Sequence, residues 1–272
     1  MAHGFIYVDR LSPFLFQTRL FGHVLGVRWY GLAYAAGFLL TLLYLRAAAR
    51  RDPRLGGEVL ERLAAGIPAG VVLGGRLGFA LQHPHELLAD PLFVFRVWEG
   101  GMAFFGGLAG VLLAVLWVAR RHRLAFLAVT DVLVFPAALG LGIGRVANFV
   151  NGELVGRPTG GHWGVIFPGV DLAPRHPSQL YESASHFLLF GILVWAGRGR
   201  ARRVLEAPGR LSFLFLGLYG LFRFLTDFFR NDDTYWGPFS DGQWISLFVA
   251  LVGFCALGGL RAQSARKKAA SL

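Results

Sequence analysis

The chain reads as an all-α integral membrane protein with about seven transmembrane helices, and three observations carry that reading. Apolar residues make up 55% of 272 positions and mean hydropathy is +0.52, while charged residues fall to 16%, against about a quarter in soluble domains. Seven apolar stretches approach the ~20 residues that span a bilayer. Finally, Lys and Arg are concentrated on alternate loops between those stretches.

The stretches are Val27–Leu45, Leu63–Leu81, Met102–Val118, Ala125–Ile143, Ser185–Ala196, Leu211–Asp227 and Trp244–Leu260; the fifth is short and could begin at Leu180. Arg46, Arg50, Arg51, Arg54 and Arg62 form one basic group, Arg120, Arg121 and Arg123 a second, Arg198, Arg200, Arg202, Arg203 and Arg210 a third, and Arg261, Arg266, Lys267 and Lys268 a fourth. These hold most of the 27 basic residues. Positive charge collects on the cytoplasmic side, so the N-terminus is expected outside and the C-terminus inside. No basic cluster sits in a soluble domain. The net charge of +11 therefore reads as topology plus attraction to membrane lipids, and no nucleic-acid partner is expected.

Residues 1–26, with Pro13 and scattered phenylalanines, are too polar to cross and are expected to form an arm in the outer interface. Residues 27–260 are expected to form a seven-helix transmembrane domain, and 261–272 a basic cytoplasmic tail whose end, Ala265–Leu272, is expected to be disordered. The first helix opens with Arg28-Trp29-Tyr30-Gly31-Leu32, where the aromatics also suit an interfacial belt. The second carries Gly74-Gly75-Arg76-Leu77-Gly78, glycines suited to close helix packing around a costly intramembrane arginine. His83-Pro84-His85 in the next loop lacks a third ligand, so no metal site is expected. Asp131 reads as the N-cap of the fourth helix, Pro136 as a kink, and Cys255 as a packing residue of the last helix, with no disulfide possible within one chain.

After the fourth apolar run comes Gly144-Arg145-Val146-Ala147-Asn148-Phe149-Val150-Asn151-Gly152-Glu153-Leu154-Val155-Gly156-Arg157. A helix end needs one Gly or Asn; it does not need Arg145 or Glu153. At 1.5 Å per residue, Arg145 lies roughly 21 Å beyond Asp131, Arg76 roughly 21 Å beyond Arg62, Arg223 roughly 18 Å beyond Leu211, and Tyr30 roughly 24 Å before Arg46. All four fall in the outer half of a ~30 Å core. Several cations at one depth, with only Glu153 and Asp227 to offset them, predict an anion, and the anion available there is a lipid phosphate that an arginine fork binds through two oxygens.

Thirteen residues of that stretch, Gly144 to Gly156, resemble the signature of the bacterial prolipoprotein diacylglyceryl transferases. The blocks Arg28–Leu32, Gly74-Gly75-Arg76, Gly100-Gly101-Met102, Arg175-His176-Pro177-Ser178-Gln179-Leu180-Tyr181-Glu182 and Tyr219–Arg230 resemble the family in the same order. The resemblance implies transfer of a diacylglyceryl group from phosphatidylglycerol to the cysteine thiol of a preprolipoprotein lipobox, with release of glycerol 1-phosphate, in the bacterial plasma (inner) membrane, without cofactor or metal. It also implies that Arg145 and Arg223 are essential and that Tyr30, Asn148 and Gly156 matter. The expected substrate-binding set is Arg145, Arg223, Arg76, Asn148, Asn151, Gly156, Tyr219 and Arg230. One departure stands out: Phe105 occupies the place where many members carry a histidine proposed as base. A base from that position is excluded, which leaves His176 and Glu153 as candidates; each also has a structural reading, His176 within its turn and Glu153 as an ion-pair partner. An anion transporter or channel, or a lipid-binding membrane protein without chemistry, are the alternative readings.

Overall fold

A computed structural model describes residues 6–20, 23–97, 100–161, 163–198, 208–231 and 234–269; the loop arginines Arg200, Arg202 and Arg203, and the two ends of the chain, lie outside them. Eight α-helices dominate the described chain: α1 (Trp29–Arg51), α2 (Glu58–Gln82), the short α3 (Pro84–Ala89), α4 (Phe104–Arg121), α5 (Phe126–Val150), α6 (Ser178–Gly197), α7 (Arg210–Asp227) and α8 (Asp241–Ala269). Among the described residues, six are long and apolar enough to cross a membrane: α1, α2, α4, α5, α6 and the Asp241–Gln263 part of α8. The remaining expected crossing, Leu211–Asp227, exists as the 18-residue helix α7. It falls outside that set because its length carries Arg210, Arg223 and Asp227.

Several boundaries differ from the sequence reading. Helix α6 starts at Ser178, directly after Pro177 at its N-cap; proline suits a helix start because a missing N–H there is no loss. Helix α5 starts at Phe126, so Asp131 is not its N-cap but an interior residue, 1% exposed. The turn before it is made by Arg123, whose φ is +53°. Measured from Phe126, Arg145 lies roughly 28 Å along α5, near its far end. Helix α8 runs on to Ala269 through a stretch of Ala, Arg, Lys and Gln, all good helix formers, where a disordered tail was expected. Cys255 is exposed on α8 and does not serve core packing.

Residues of the expected arm fold as strands. β1 (Ile6–Val8) pairs in parallel with β4 (Gly164–Ile166), while β2 (Phe14–Leu20) and β3 (His23–Arg28) form an antiparallel hairpin. The Trp29 amide donates to the Pro13 carbonyl at 3.1 Å, which ties the base of the hairpin to the first turn of α1. A further two-residue pair, β5 (Tyr235–Trp236) with β6 (Phe239–Ser240), precedes α8.

Two compact units are distinguished, one built on Met1–Leu40, Val134–Arg198 and Gly209–Leu272, the other on Thr41–Leu133. In the second unit α2 and α4 pack through small residues. A Cβ on Gly70 would lie 2.7 Å from the Gly110 carbonyl carbon, one on Gly78 2.8 Å from Gly106 Cα, and one on Gly66 3.4 Å from Ala114 Cβ. Glycines four apart line one face of α2, and lipid offers no hydrophobic drive to pair helices, so backbone approach supplies the attraction. In the first unit α7 and α8 use the same device: a Cβ on Gly220 would sit 2.6 Å from the Ser246 carbonyl oxygen, and one on Gly253 2.7 Å from Gly217 Cα.

Gly70→Leu is expected to push α4 off α2 and to cost about 1–3 kcal/mol as an overpacking change, read as a lower unfolding temperature of the detergent-solubilised chain. Gly140→Ala, where nothing lies within 4 Å of the added methyl, should leave it unmoved.

Candidate active site

The site is built in the first unit, where α5, α6 and α7 each bring a charged side chain to one place. Glu182 enters one turn into α6 and its carboxylate is the hub. Its Oε2 lies 2.8 Å from Arg145 Nε of α5; its Oε1 lies 3.0 Å from Arg230 Nη1 and 3.7 Å from Arg223 Nη1 of α7. Asp227, one turn after Arg223 on the same face of α7, pairs with Arg223 and lies 3.5 Å from Arg230 Nε through Oδ1. Its Oδ2 accepts from the Ser240 hydroxyl at 2.6 Å, and Ser240 in turn accepts from the Gln243 amide at 3.1 Å. Gly242 leaves room for this: a Cβ there would lie 2.8 Å from Asp227 Oδ2.

Burial separates the two charges. The carboxylate side chains are 0–1% exposed, whereas Arg145, Arg223 and Arg230 retain 20%, 17% and 15%. Buried charges persist only when paired and hydrogen-bonded, so the acids form the floor beneath the less deeply buried guanidinium side chains. Among the described residues, these three guanidinium groups share the Glu182 and Asp227 carboxylates.

The loop after α5 is shaped by its own polar groups. Asn148 and Asn151 donate to the Glu153 carboxylate at 3.4 and 3.3 Å, and Gln179 of α6 donates to the Glu153 carbonyl at 2.6 Å. Gly152 takes φ +64° and Leu154 φ +53°, reversing the chain. Gly156 then passes between two backbones: its amide donates to the His176 carbonyl at 3.1 Å, the Arg157 amide donates to the Phe229 carbonyl at 3.0 Å, and a Cβ on Gly156 would lie 2.6 Å from the Phe229 oxygen. Only glycine fits that gap. The contact fixes Arg230, the bridge partner of Gly156, against the loop that carries Glu153.

The remaining expected site residues are placed as follows. Tyr30 faces Tyr34 on α1, hydroxyls 3.4 Å apart. Tyr219 stacks on Phe215 and on buried His186, ring centroids 5.7 and 5.6 Å apart, and interacts electrostatically with Arg145, Glu182, Arg223 and Arg230. His176 sits in an aromatic box, with Nδ1 3.3 Å from the Tyr181 hydroxyl and ring contacts to Trp163 at 4.9 Å and Phe229 at 5.1 Å. Glu153 makes no ion pair among the described residues; asparagines hold its carboxylate. Phe105 is exposed and meets Phe104 edge-on.

Arg76 lies in the second unit, on α2. It is 3% exposed, and its guanidinium donates to the carbonyls of Val94 at 3.0 Å, Gly100 at 2.5 Å, Gly101 at 3.2 Å and Phe93, between the Phe79 and Phe93 rings. Four of its five donors shape the loop that leads into α4. Within the first unit, Arg230 joins Arg145 and Arg223 on the Glu182 carboxylate. Glu182 and His186 were missed as site residues, although the signal was present: an acid, then a histidine four residues on, entering an apolar run.

Fold and site together define a class: a polytopic helical membrane protein that displays a carboxylate-anchored arginine cluster. Residues 18–258 match the family described as prolipoprotein diacylglyceryl transferase, and the chain belongs to that family. Similar proteins named phosphatidylglycerol–prolipoprotein diacylglyceryl transferase include those of Geobacter sulfurreducens (44% identity, 89% of this chain, 93% of the relative), Nitrosomonas europaea (44%, 86% and 85%) and Vibrio cholerae (42%, 93% of each).

Outside the helices, burial and the neighbouring Arg157 hold the His176 imidazole below its ordinary pKa. The folded state thus prefers the neutral ring, and the unfolded chain binds its proton more tightly. That contribution to stability is present above about pH 6.5 and is lost as pH falls through the lowered folded value. Unfolding temperature should decline over that interval, and His176→Gln should flatten the decline.

Proposed function

We propose that the chain transfers the diacylglyceryl group of phosphatidylglycerol to the lipobox cysteine of preprolipoproteins. The observation that carries the reading is the convergence of Arg145, Arg223 and Arg230 over Glu182 and Asp227, in a chain of this family. In this reading the N-terminus and the α5–α6 loop lie outside a bacterial plasma membrane, the arginine cluster lies in the outer half of the bilayer, and residues 6–28 rest at the outer interface. Lipid enters laterally with its phosphate on the arginines.

The lipobox sulfur attacks the glycerol carbon that bears the phosphate. A sulfur–carbon bond forms and the carbon–oxygen bond breaks, with its electron pair going to the phosphate oxygen. The thioether and glycerol 1-phosphate result, and the thiol proton balances on the phosphate monoester or in water. Deprotonating a thiol of pKa about 8.5 at pH 7 costs only about 2 kcal/mol. Stabilising charge on the leaving phosphate is therefore the larger task, and it falls to Arg145 and Arg223 as preorganised donors, supported by Arg230. Asn148, Asn151, Tyr30 and Tyr219 orient the substrates, and Gly156 keeps the Arg230 backbone in register. The same field lowers the thiol pKa, which accounts for a working site with Phe105 in place of a histidine. Glu153, engaged by two asparagines, and His176, in its aromatic box, are secondary candidates for a base.

Transfer of radiolabelled diacylglycerol from phosphatidylglycerol to a lipobox peptide tests the reading. The unmodified chain should label the peptide, while Arg145→Ala and Arg223→Ala should each lower the rate by about 10²–10³-fold. Retained activity in both variants, or anion flux in liposomes without peptide labelling, would remove it.

A further inference from the structure

Asn151 has two polar faces, and only one of them meets Glu153. A carboxylate can only accept, so the Asn151 amide turns its NH2 toward Glu153. Its Oδ1 is thereby directed elsewhere, and that oxygen is enclosed without a hydrogen-bond partner. Asn151 also lines a cavity of about 310 Å³, together with Asp9, Leu11, Gly152 and Phe167. Asp9, at the end of β1, is 9% exposed. Its amide donates to the Ile166 carbonyl at 2.8 Å, and its Oδ1 accepts from the Leu11 amide at 3.0 Å. Its Oδ2 lies toward Gly152: a Cβ there would be 3.9 Å from that oxygen and 3.7 Å from Phe167 Cδ1. Among the described residues Asp9 has no cationic partner.

Resting on the function proposed above, we propose that this cavity binds a lysine or arginine side chain of the protein substrate, within the first few residues after the lipobox cysteine. The lining side chains present two acceptors, the Asp9 carboxylate and the Asn151 carbonyl oxygen, and no free donor. A hydroxyl would satisfy the oxygens and leave the buried charge of Asp9 without a counter-ion, which is costly. An ammonium or guanidinium group answers both through charge-assisted hydrogen bonds, and its methylene stem suits the apolar walls of Leu11 and Phe167. Phosphatidylglycerol cannot fill this role, because its head carries hydroxyls and no cation. The reach also fits a peptide. Asn151 lies six residues after Arg145, roughly 9 Å farther out at 1.5 Å per residue. A chain whose thiol is held at the arginines, and which then leaves toward the outside, covers that distance in about three extended residues.

The test uses the full chain in detergent micelles containing phosphatidylglycerol, with lipobox peptides that carry Lys, Gln or Glu at the second, third or fourth residue after the cysteine. Affinity is measured on peptides with alanine in place of the cysteine, so that no turnover intervenes. At one of those positions the Lys peptide should bind roughly tenfold more tightly than the Gln peptide, the scale of one hydrogen bond to a charged group, and the Glu peptide should bind more weakly still. With the cysteine present, the same order should appear in KM for peptide while kcat stays unchanged. Asp9→Asn removes the charge and keeps the shape. It should bring the Lys and Gln peptides to equal affinity and leave transfer to the Gln peptide as it was.

Equal affinity for Lys and Gln peptides at all three positions, or a Lys preference that survives Asp9→Asn, overturns the proposal. Should Asp9→Asn not fold, Leu11→Arg serves instead: Leu11 is 45% exposed, and a guanidinium placed there supplies the cation from within the chain. A Lys preference that persists in that variant overturns the proposal equally. So does an Asp9-dependent gain in affinity for phosphatidylethanolamine with no effect of the peptide lysine, which would assign the cavity to a lipid head. Binding is read without turnover. Its failure is thus distinct from failure of the unmodified chain to label any peptide, which would count against the proposed function itself.

Discussion

Everything at the site depends on one carboxylate being shared. Glu182 lies almost wholly out of contact with solvent, and its burial is tolerable only because Arg145, Arg223 and Arg230 reach it from separate elements. Removing a buried partner leaves a charge stranded, at a cost of about 3–5 kcal/mol. The mutual need of acid and arginines fixes α5, α6 and α7 relative to one another at this level. The tight passage at Gly156 and the Asp227–Ser240–Gln243 chain then hold the outer members of the set.

Much of this was legible in the sequence because membranes make polarity conspicuous. Arg145, Arg223 and Tyr219 stand out in apolar runs, and the helical class followed from composition and run length. What was not legible was which charge meets which. Arg76 looked equivalent to Arg145 by depth, yet its partners are backbone carbonyls of the loop before α4, and carbonyls leave no mark in a sequence. Glu182 was hidden at the end of a recognisable block because it falls at the start of an apolar run, where an acid passes for a helix-start residue. Asp131 misled in the opposite direction, since a buried aspartate within a helix and an N-cap read alike until the turn at Arg123 is seen.

Phe105 sharpens the division of labour. Where a side chain able to take a proton is replaced by an exposed ring, the reaction proposed above assigns more of its work to the electrostatics of the arginines. Thiol chemistry permits this because its proton is cheap to remove near neutral pH, whereas the phosphate's developing charge has no substitute for fixed donors.

The charges that keep α7 out of the set of apolar spans bear on how the chain is assembled. An arginine or aspartate entering hydrocarbon alone costs about 2.5–3.5 kcal/mol, and α7 carries Arg223 and Asp227 together. Synthesis delivers α5 and α6 first, so Arg145 and Glu182 are already in place when α7 emerges. The last polar helix can therefore settle against a waiting counter-ion, and the order of the segments along the gene becomes part of what makes the fold attainable.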